Sequence, residues 1–214
     1  WDIENGKLIT RIQSEPFKVL DVALSPDGRL AAAARWDETV RLYDLTTQKE
    51  VATLKGHRGN VNSVAFSEDG KKLYSAAYDG QIIEWDAVTG DMLRPIYRHG
   101  WGLNSIARVD ADRLIYGAIN GSVGVVSIAK ADRLAELTKR ERPIQSVKVS
   151  HDGKLMGYGD GAGRIEVYKT GDLGSHEGAE VTYGPVWDFD FVADTKQVYH
   201  VGLDDFAVRW QVAP

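Results

Sequence analysis

The sequence predicts an all-β chain in which one short antiparallel meander recurs, and three observations carry that prediction. The first is the stretch Gly56 to Asp86: an apolar-alternating strand from Val61 to Phe66, a turn at Ser67-Glu68-Asp69-Gly70, a strand Lys72–Ala77, the turn Asp79-Gly80, and a third strand ending on Trp85-Asp86. Glycine supplies the positive φ that such hairpin turns demand, so short strands split by Asp-Gly read as hairpins. The second is a period. Equivalents of Trp85 fall at Trp1, Tyr43, Trp85, Val126, Tyr168 and Trp210, with successive spacings of 42, 42, 41, 42 and 42, and self-similarity at ~40–45 residues is that of propeller blades. The third is that the first-to-second-strand turns keep step, at Ser25-Pro26-Asp27-Gly28, Ser67-Glu68-Asp69-Gly70, Asp110-Ala111-Asp112, Ser150-His151-Asp152-Gly153 and Ala193-Asp194-Thr195.

Taken in order, residues 1–13 read as the end of a third strand, the turn Asn5-Gly6 and a fourth strand over 7–12. Strands are then expected near 19–25, 29–35, 38–44 and 49–54, and near 61–67, 71–77, 81–86 and 91–97. The next set falls near 103–109, 113–118, 122–128 and 133–138. Within it Ala129–Leu137 has helix-like composition, but it occupies the slot of an outer strand, which decides for strand. A fourth set is expected at 144–149, 154–159, 164–168 and a poorly formed stretch inside 173–182, and a fifth at 186–192, 197–202 and 206–212.

The unit from Gly56 to Asp86, with its opening Gly56-His57 and closing Trp85-Asp86, resembles a WD40 repeat. The resemblance covers the whole chain, strongest at 19–86 and weakest at 103–132. It implies a single β-propeller domain of WD40 type with about five four-stranded blades, repeats lying near 14–56, 57–98, 99–139, 140–182 and 183–214. In that family the first strand of the chain completes the last blade, so 7–12 is the expected closing strand for 186–212. Because Trp1-Asp2 already belongs to a third strand, five repeats of a larger, seven-bladed ring are expected in preference to a native five-bladed one.

Bulk properties narrow the function. No stretch approaches the ~18 apolar residues of a membrane-spanning helix. A net charge of −5, with both signs interleaved along the sequence, leads us to expect no basic face for a phosphate backbone and no nucleic-acid partner. The absence of cysteine excludes disulfides, thiolate catalysis and Cys-ligated zinc within the chain.

Chemistry-bearing residues are few. By the resemblance, His57, Ser75, Asp79 and Trp85 form the family's structural tetrad, in which a buried imidazole is satisfied by a carboxylate on one side and a hydroxyl on the other. A Ser-His-Asp nucleophile system is the sharper alternative; the tetrad spacing argues against it. His99 and Asn120 persist in the third repeat, where Tyr116 and Val126 replace Ser and Trp. Elsewhere the histidine position is Glu15, Glu141 and Tyr183. His151, His176 and His200 read as scattered surface histidines, and no metal-ligand spacing is found. Gly157-x-Gly159-x-Gly161-x-Gly163 has no following helix to hold a phosphate. No catalytic residue, metal site or cofactor is expected in this chain.

The rim built from fourth-to-first-strand and second-to-third-strand loops carries the remaining signal. Repeat register puts Phe17, Trp36, Arg58, Tyr78, Trp101, Arg142, Tyr183, Trp187 and Asp205 in or beside those loops. Aromatic and Arg side chains are the usual anchors of interfaces, so Trp36, Arg58, Tyr78, Trp101, Arg142, Tyr183 and Trp187 form the candidate contact set for a protein or peptide. A narrower resemblance rests on Tyr183–Trp187, Gly202–Phe206, Arg209-Trp210, His99–Gly102 and Gly121–Val126. These runs are similar to the propeller part of bacterial proteins that join WD40 repeats to a c-type cytochrome. It implies a periplasmic docking domain with haem only in a fused domain beyond residue 214; otherwise a cytoplasmic setting is expected. The resemblance leads us to expect a non-catalytic interaction scaffold, with the cytochrome accessory domain and a small-ligand or metal-binding propeller enzyme as alternatives.

Overall fold

Nineteen strands and no helix make up the described part of this computed structural model, which covers residues 4–8, 11, 17–182, 184–192, 197–202 and 207–211, the last five by backbone alone. The first sheet holds β1 (Val19–Leu24), β2 (Leu30–Arg35), β3 (Thr39–Asp44) and β4 (Lys49–Lys55). The second holds β5 (Val61–Phe66), β6 (Lys72–Ala77), β7 (Gln81–Asp86) and β8 (Met92–Arg98), and the third β9 (Leu103–Arg108), β10 (Arg113–Ala118), β11 (Ser122–Ser127) and β12 (Asp132–Lys139). The fourth holds β13 (Ile144–Val149), β14 (Leu155–Asp160), β15 (Arg164–Lys169) and β16 (Asp172–Glu180), and the last β17 (Val186–Phe191), β18 (Gln197–Gly202) and β19 (Ala207–Gln211). Every sheet is an antiparallel meander in sequence order, four of four strands and one of three. Recurring meanders of this size and order have the form of β-propeller blades. The stretch expected to be poorly formed is a nine-residue strand, β16. Much of the expected closing strand lies outside the described residues, as do residues 203–206 and 212–214.

The recurring turns have a common chemistry. Ser25 Oγ donates to Asp27 Oδ1 at 2.6 Å, and the same carboxylate oxygen accepts the Arg29 N–H at 3.0 Å. Ser67–Asp69 and Ser150–Asp152 repeat the arrangement. Side chains that bond their own backbone stabilise turns over ladders, which is why Ser-x-Asp-Gly keeps step with the period. At the second-to-third-strand turn, Gly80, Gly121 and Gly163 have φ of 79°, 82° and 92°, and the first sheet puts Glu38 there at φ 67°.

Each first strand is bulged at its second residue, where the ladder register shifts: Leu20, Asn62, Asn104, Gln145 and Trp187. A bulge frees one residue from pairing and re-aims it. The freed amides bridge blades: Asn62 Nδ2 donates to Leu103 O and Asn104 Nδ2 to Ile144 O, each at 2.8 Å. The next residue in each strand, Asp21, Ser63, Ser105, Ser146 or Asp188, adds a second tie. Asp21 Oδ2 accepts the Val64 N–H at 3.1 Å, Ser63 Oγ the Ile106 N–H at 3.2 Å and Ser105 Oγ the Val147 N–H at 3.1 Å. Ser146 Oγ donates to Asp188 Oδ1 at 2.5 Å. The inner strands are thus laced side to side around a channel of about 510 Å³.

Apolar faces fill the spaces between successive sheets. Ala32, Ala34, Val40 and Leu42 of the first sheet pack with Val61, Val64, Phe66 and Trp85 of the second, and the pattern repeats at the following interfaces. Second and third strands are covered on both faces, so they read as continuous small or apolar runs, whereas outer strands such as β4 and β12 are largely exposed. Position in the stack sets burial: Val64 and Phe66 are 5% and 6% exposed, while their register equivalents on β1, Val22 and Leu24, are 66% and 63% exposed.

Candidate functional site

Antiparallel order puts the fourth-to-first-strand connections and the second-to-third-strand turns at one end of the sheets. Gly80 shows how closely they meet, since a Cβ there would lie 2.5 Å from His99 O. Just under this crown, His57 Nδ1 faces Asp79 Oδ2 at 3.0 Å, His57 Nε2 lies 2.7 Å from Ser75 Oγ, and the Trp85 indole N–H donates to the same Ser75 oxygen at 2.7 Å. Trp85 can only donate, so Ser75 accepts from it and sends its single proton to His57 Nε2; the imidazole then donates Nδ1–H to Asp79. All partners are satisfied by a neutral imidazole. Burial raises the Asp79 pKa, but the His57 hydrogen bond and the backbone N–H groups of Arg58 and Gln81 outweigh it and hold the carboxyl down at about 2. Ser75 is fully buried and already accepts from Trp85. A nucleophile needs an open approach to its oxygen, and this hydroxyl has none.

The same slot recurs in other blades with different occupants. In the fourth blade Arg140, one residue before the expected Glu141, supplies the polar group: its Nε donates to Tyr158 Oη at 2.6 Å, and Tyr158 donates to Glu166 Oε2 at 2.6 Å. Glu166 also accepts from Tyr168 Oη at 3.1 Å and Arg164 Nε at 2.9 Å, and pairs with Arg140. Tyr158 and Tyr168 thus hold the Ser75 and Trp85 positions. Burial pushes the Tyr168 phenol up to about 12. In the third blade Tyr116 fills the slot alone, its hydroxyl 3.2 Å from that of Tyr97 and its ring 5.5 Å from His99. It fits because residue 124 is glycine: a Cβ there would lie 2.7 Å from Tyr116 Oη. In the first blade Asp37 pairs with Arg35 at 3.3 Å, and Arg41 bonds Glu50 at 2.7 Å. Glu15 lies outside the described residues. In the last blade His200 holds the Ser75 register and is buried, which corrects its reading as a surface histidine. His176 stacks on Tyr168, with ring centroids 5.1 Å apart.

The expected rim residues in the described part lie on same-end loops of successive sheets. Tyr78 and Trp101, each 59% exposed, share one patch. Residue Tyr78 is flanked by two glycines: a Cβ on Gly59 would lie 3.3 Å from Tyr78 Cβ, and one on Gly102 3.2 Å from Cδ2 of the Tyr78 ring. Arg58 adjoins them, its backbone N–H held by Asp79 at 2.8 Å. Trp36 and Phe17 are exposed on the first blade, with Lys18 Nζ 4.6 Å from the Trp36 ring. Arg142 is exposed beside Gly161 on the fourth blade. Trp187, the bulge residue of β17 and the second residue after its entering connection, is 53% exposed and lines the channel with Leu20, Asn62, Asn104 and Gln145. Tyr183 and Asp205 lie outside the described residues.

The channel carboxylates are occupied. Asp21 accepts from Ser63 Oγ at 2.9 Å, and Asp188 pairs with Lys148 at 3.1 Å as well as accepting from Ser146. Among the described residues no group of three or more His, Cys, Asp or Glu is arranged to hold a metal. The lacing positions 21, 63, 105, 146 and 188 and the role of Arg140 were not anticipated from the sequence. The lacing set had a signal, since Asp, Ser, Ser, Ser and Asp follow the repeat spacing.

A family model described as WD domain, G-beta repeat matches residues 6–44 and 48–86. Over 53 residues the chain is 42% identical to ASTRA-associated protein 1 of Pyricularia oryzae (strain 70-15), a match that covers 21% of this chain and 11% of that protein. The chain therefore spans about a tenth of the curated relative it matches. Neither match supports the resemblance to cytochrome fusions. No helix among the described residues is long and apolar enough to cross a membrane.

Proposed function

We propose that this WD40-repeat chain is a non-catalytic platform that captures a protein or peptide on the crown patch formed by Arg58, Tyr78 and Trp101. WD40 repeats generally mediate protein–protein interaction. The observation that carries the narrower reading is that two large, exposed aromatic side chains, Tyr78 and Trp101, stand on loops whose glycine backbones meet. The buried slots and the inner lacing hold rigid sheets behind them. A rigid scaffold loses little order on binding, and aromatic anchors bury large area for few rotors.

The test is selection of a displayed random-peptide library on the 214-residue chain, followed by rebinding to Tyr78→Ala/Trp101→Ala. Peptides whose capture disappears on the double variant, with its circular dichroism unchanged, support the reading. Capture that is equal on both proteins excludes this patch.

A further inference from the structure

The signs of charge that alternate along the sequence are sorted by the fold. The three connections that enter the second, third and fourth blades, 55–60, 98–102 and 139–143, carry Lys55, Arg58, Arg98, Lys139, Arg140 and Arg142 against the single carboxylate Glu141. Arg140 is committed to Glu166. The other five cations make no ion pair among the described residues, and all five are exposed. Among the carboxylates of the neighbouring turns, Asp37 pairs with Arg35, while Asp79 is hydrogen-bonded by the neutral His57 and keeps its charge beneath Arg58. At the opposite end, Asp27, Asp69, Asp110 and Asp152 cap their own turns. These three connections therefore carry an excess of cations in a chain whose net charge is −5.

Resting on the reading of this crown as a capture surface, we propose that its partner is an acidic peptide segment, with Asp or Glu side chains flanking one apolar or aromatic residue. The apolar side chain seats against Tyr78 and Trp101. Arg58 lies next to Asp79 and Arg98 sits opposite Gln81 at the end of β8, so both border that seat. Unpaired guanidinium groups around an apolar anchor complement carboxylates, giving steering and selectivity more than bulk affinity. The spacing of the cations along separate loops, with Glu38 and Glu141 also exposed, favours a short peptide over a continuous polyanion, which the net negative chain repels.

The experiment uses fluorescence anisotropy with a labelled peptide of Asp, Glu and Gly around a central Leu, its Asn/Gln counterpart, and a labelled single-stranded oligonucleotide of equal charge. The acidic peptide is expected to bind the full chain at least about tenfold more tightly than its amide counterpart, weakening with salt. Arg58→Ala/Arg98→Ala is expected to remove that preference while Tyr78→Ala/Trp101→Ala removes binding of both peptides. Equal binding of acidic and amide peptides that still needs Tyr78 and Trp101 overturns the charge inference and leaves the capture surface standing. Binding that is indifferent to the aromatic pair overturns both. Tighter binding of the oligonucleotide, lost in the arginine variant, or no binding of the acidic peptide at millimolar concentration, also overturns the inference.

Discussion

Trp85 and Ser75 meet through one hydrogen bond of 2.7 Å, indole N–H to hydroxyl oxygen, and on that oxygen the entire second-blade slot is hung. The hydroxyl accepts from Trp85 and donates to His57, so one atom satisfies two buried ring nitrogens. Removing it strands both groups. Ser75→Ala is expected to cost about 2–4 kcal/mol, because each buried unsatisfied polar group costs about 1–3 kcal/mol. Urea denaturation should show a lower midpoint with unchanged slope; a loss under ~1 kcal/mol contradicts the geometry.

Asp79 links the slot to pH. Its folded pKa of about 2 is below the ordinary 3.8, so the stability it contributes is fully present above pH ~4 and is lost as pH falls toward 2. The contribution is on the order of 2 kcal/mol after allowance for solvent screening. Asp79→Asn should therefore destabilise at pH 7 and scarcely at all near the folded pKa. Parallel stability curves for the two proteins across this range run against the assignment.

Glu38 stands at φ 67° where the second, third and fourth blades place glycine. A left-handed conformation costs a side-chain-bearing residue roughly 1–2 kcal/mol, a cost glycine does not incur. Glu38→Gly is expected to stabilise the chain by about 1 kcal/mol, part of the gain being offset by the freer unfolded chain. The melting temperature reads this directly, and a decrease refutes it.

Lacing between inner strands is tested at Ser63, whose hydroxyl donates to Asp21 at 2.9 Å and accepts the Ile106 N–H at 3.2 Å. Ser63→Ala should lower stability by about 1–2 kcal/mol and speed hydrogen exchange at the Ile106 amide. Unchanged exchange there means the contact ties nothing.

The fold was legible because two local chemistries repeat. Ser-x-Asp turns bond their own backbone, as at Ser25 and Ser67, and the apolar marker at Tyr43, Trp85 and Tyr168 packs between sheets. The outer strand β16 was harder to see because its described side chains are at best half-buried and its sequence lacks an apolar alternation. The tetrad was legible since four residue types are needed at once, whereas the fourth-blade network hid behind substitution: Arg140, Tyr158 and Glu166 solve the same burial problem with other groups. Register alone does not reveal a bulge, so the channel-lining position of Trp187, just inside the rim, was not legible. The sorting of charge was invisible for a related reason, since residues 42 apart in sequence become neighbours only when blades stack.

The central claim is that buried slots and lacing are architectural while the crown alone recognises a partner. Hydrogen–deuterium exchange of the chain with and without a library-selected peptide tests it most directly. New protection is expected only at 55–60, 78–80 and 98–102; protection instead along the Ser-x-Asp turns at the opposite end, or inside the channel strands, would refute recognition by the crown.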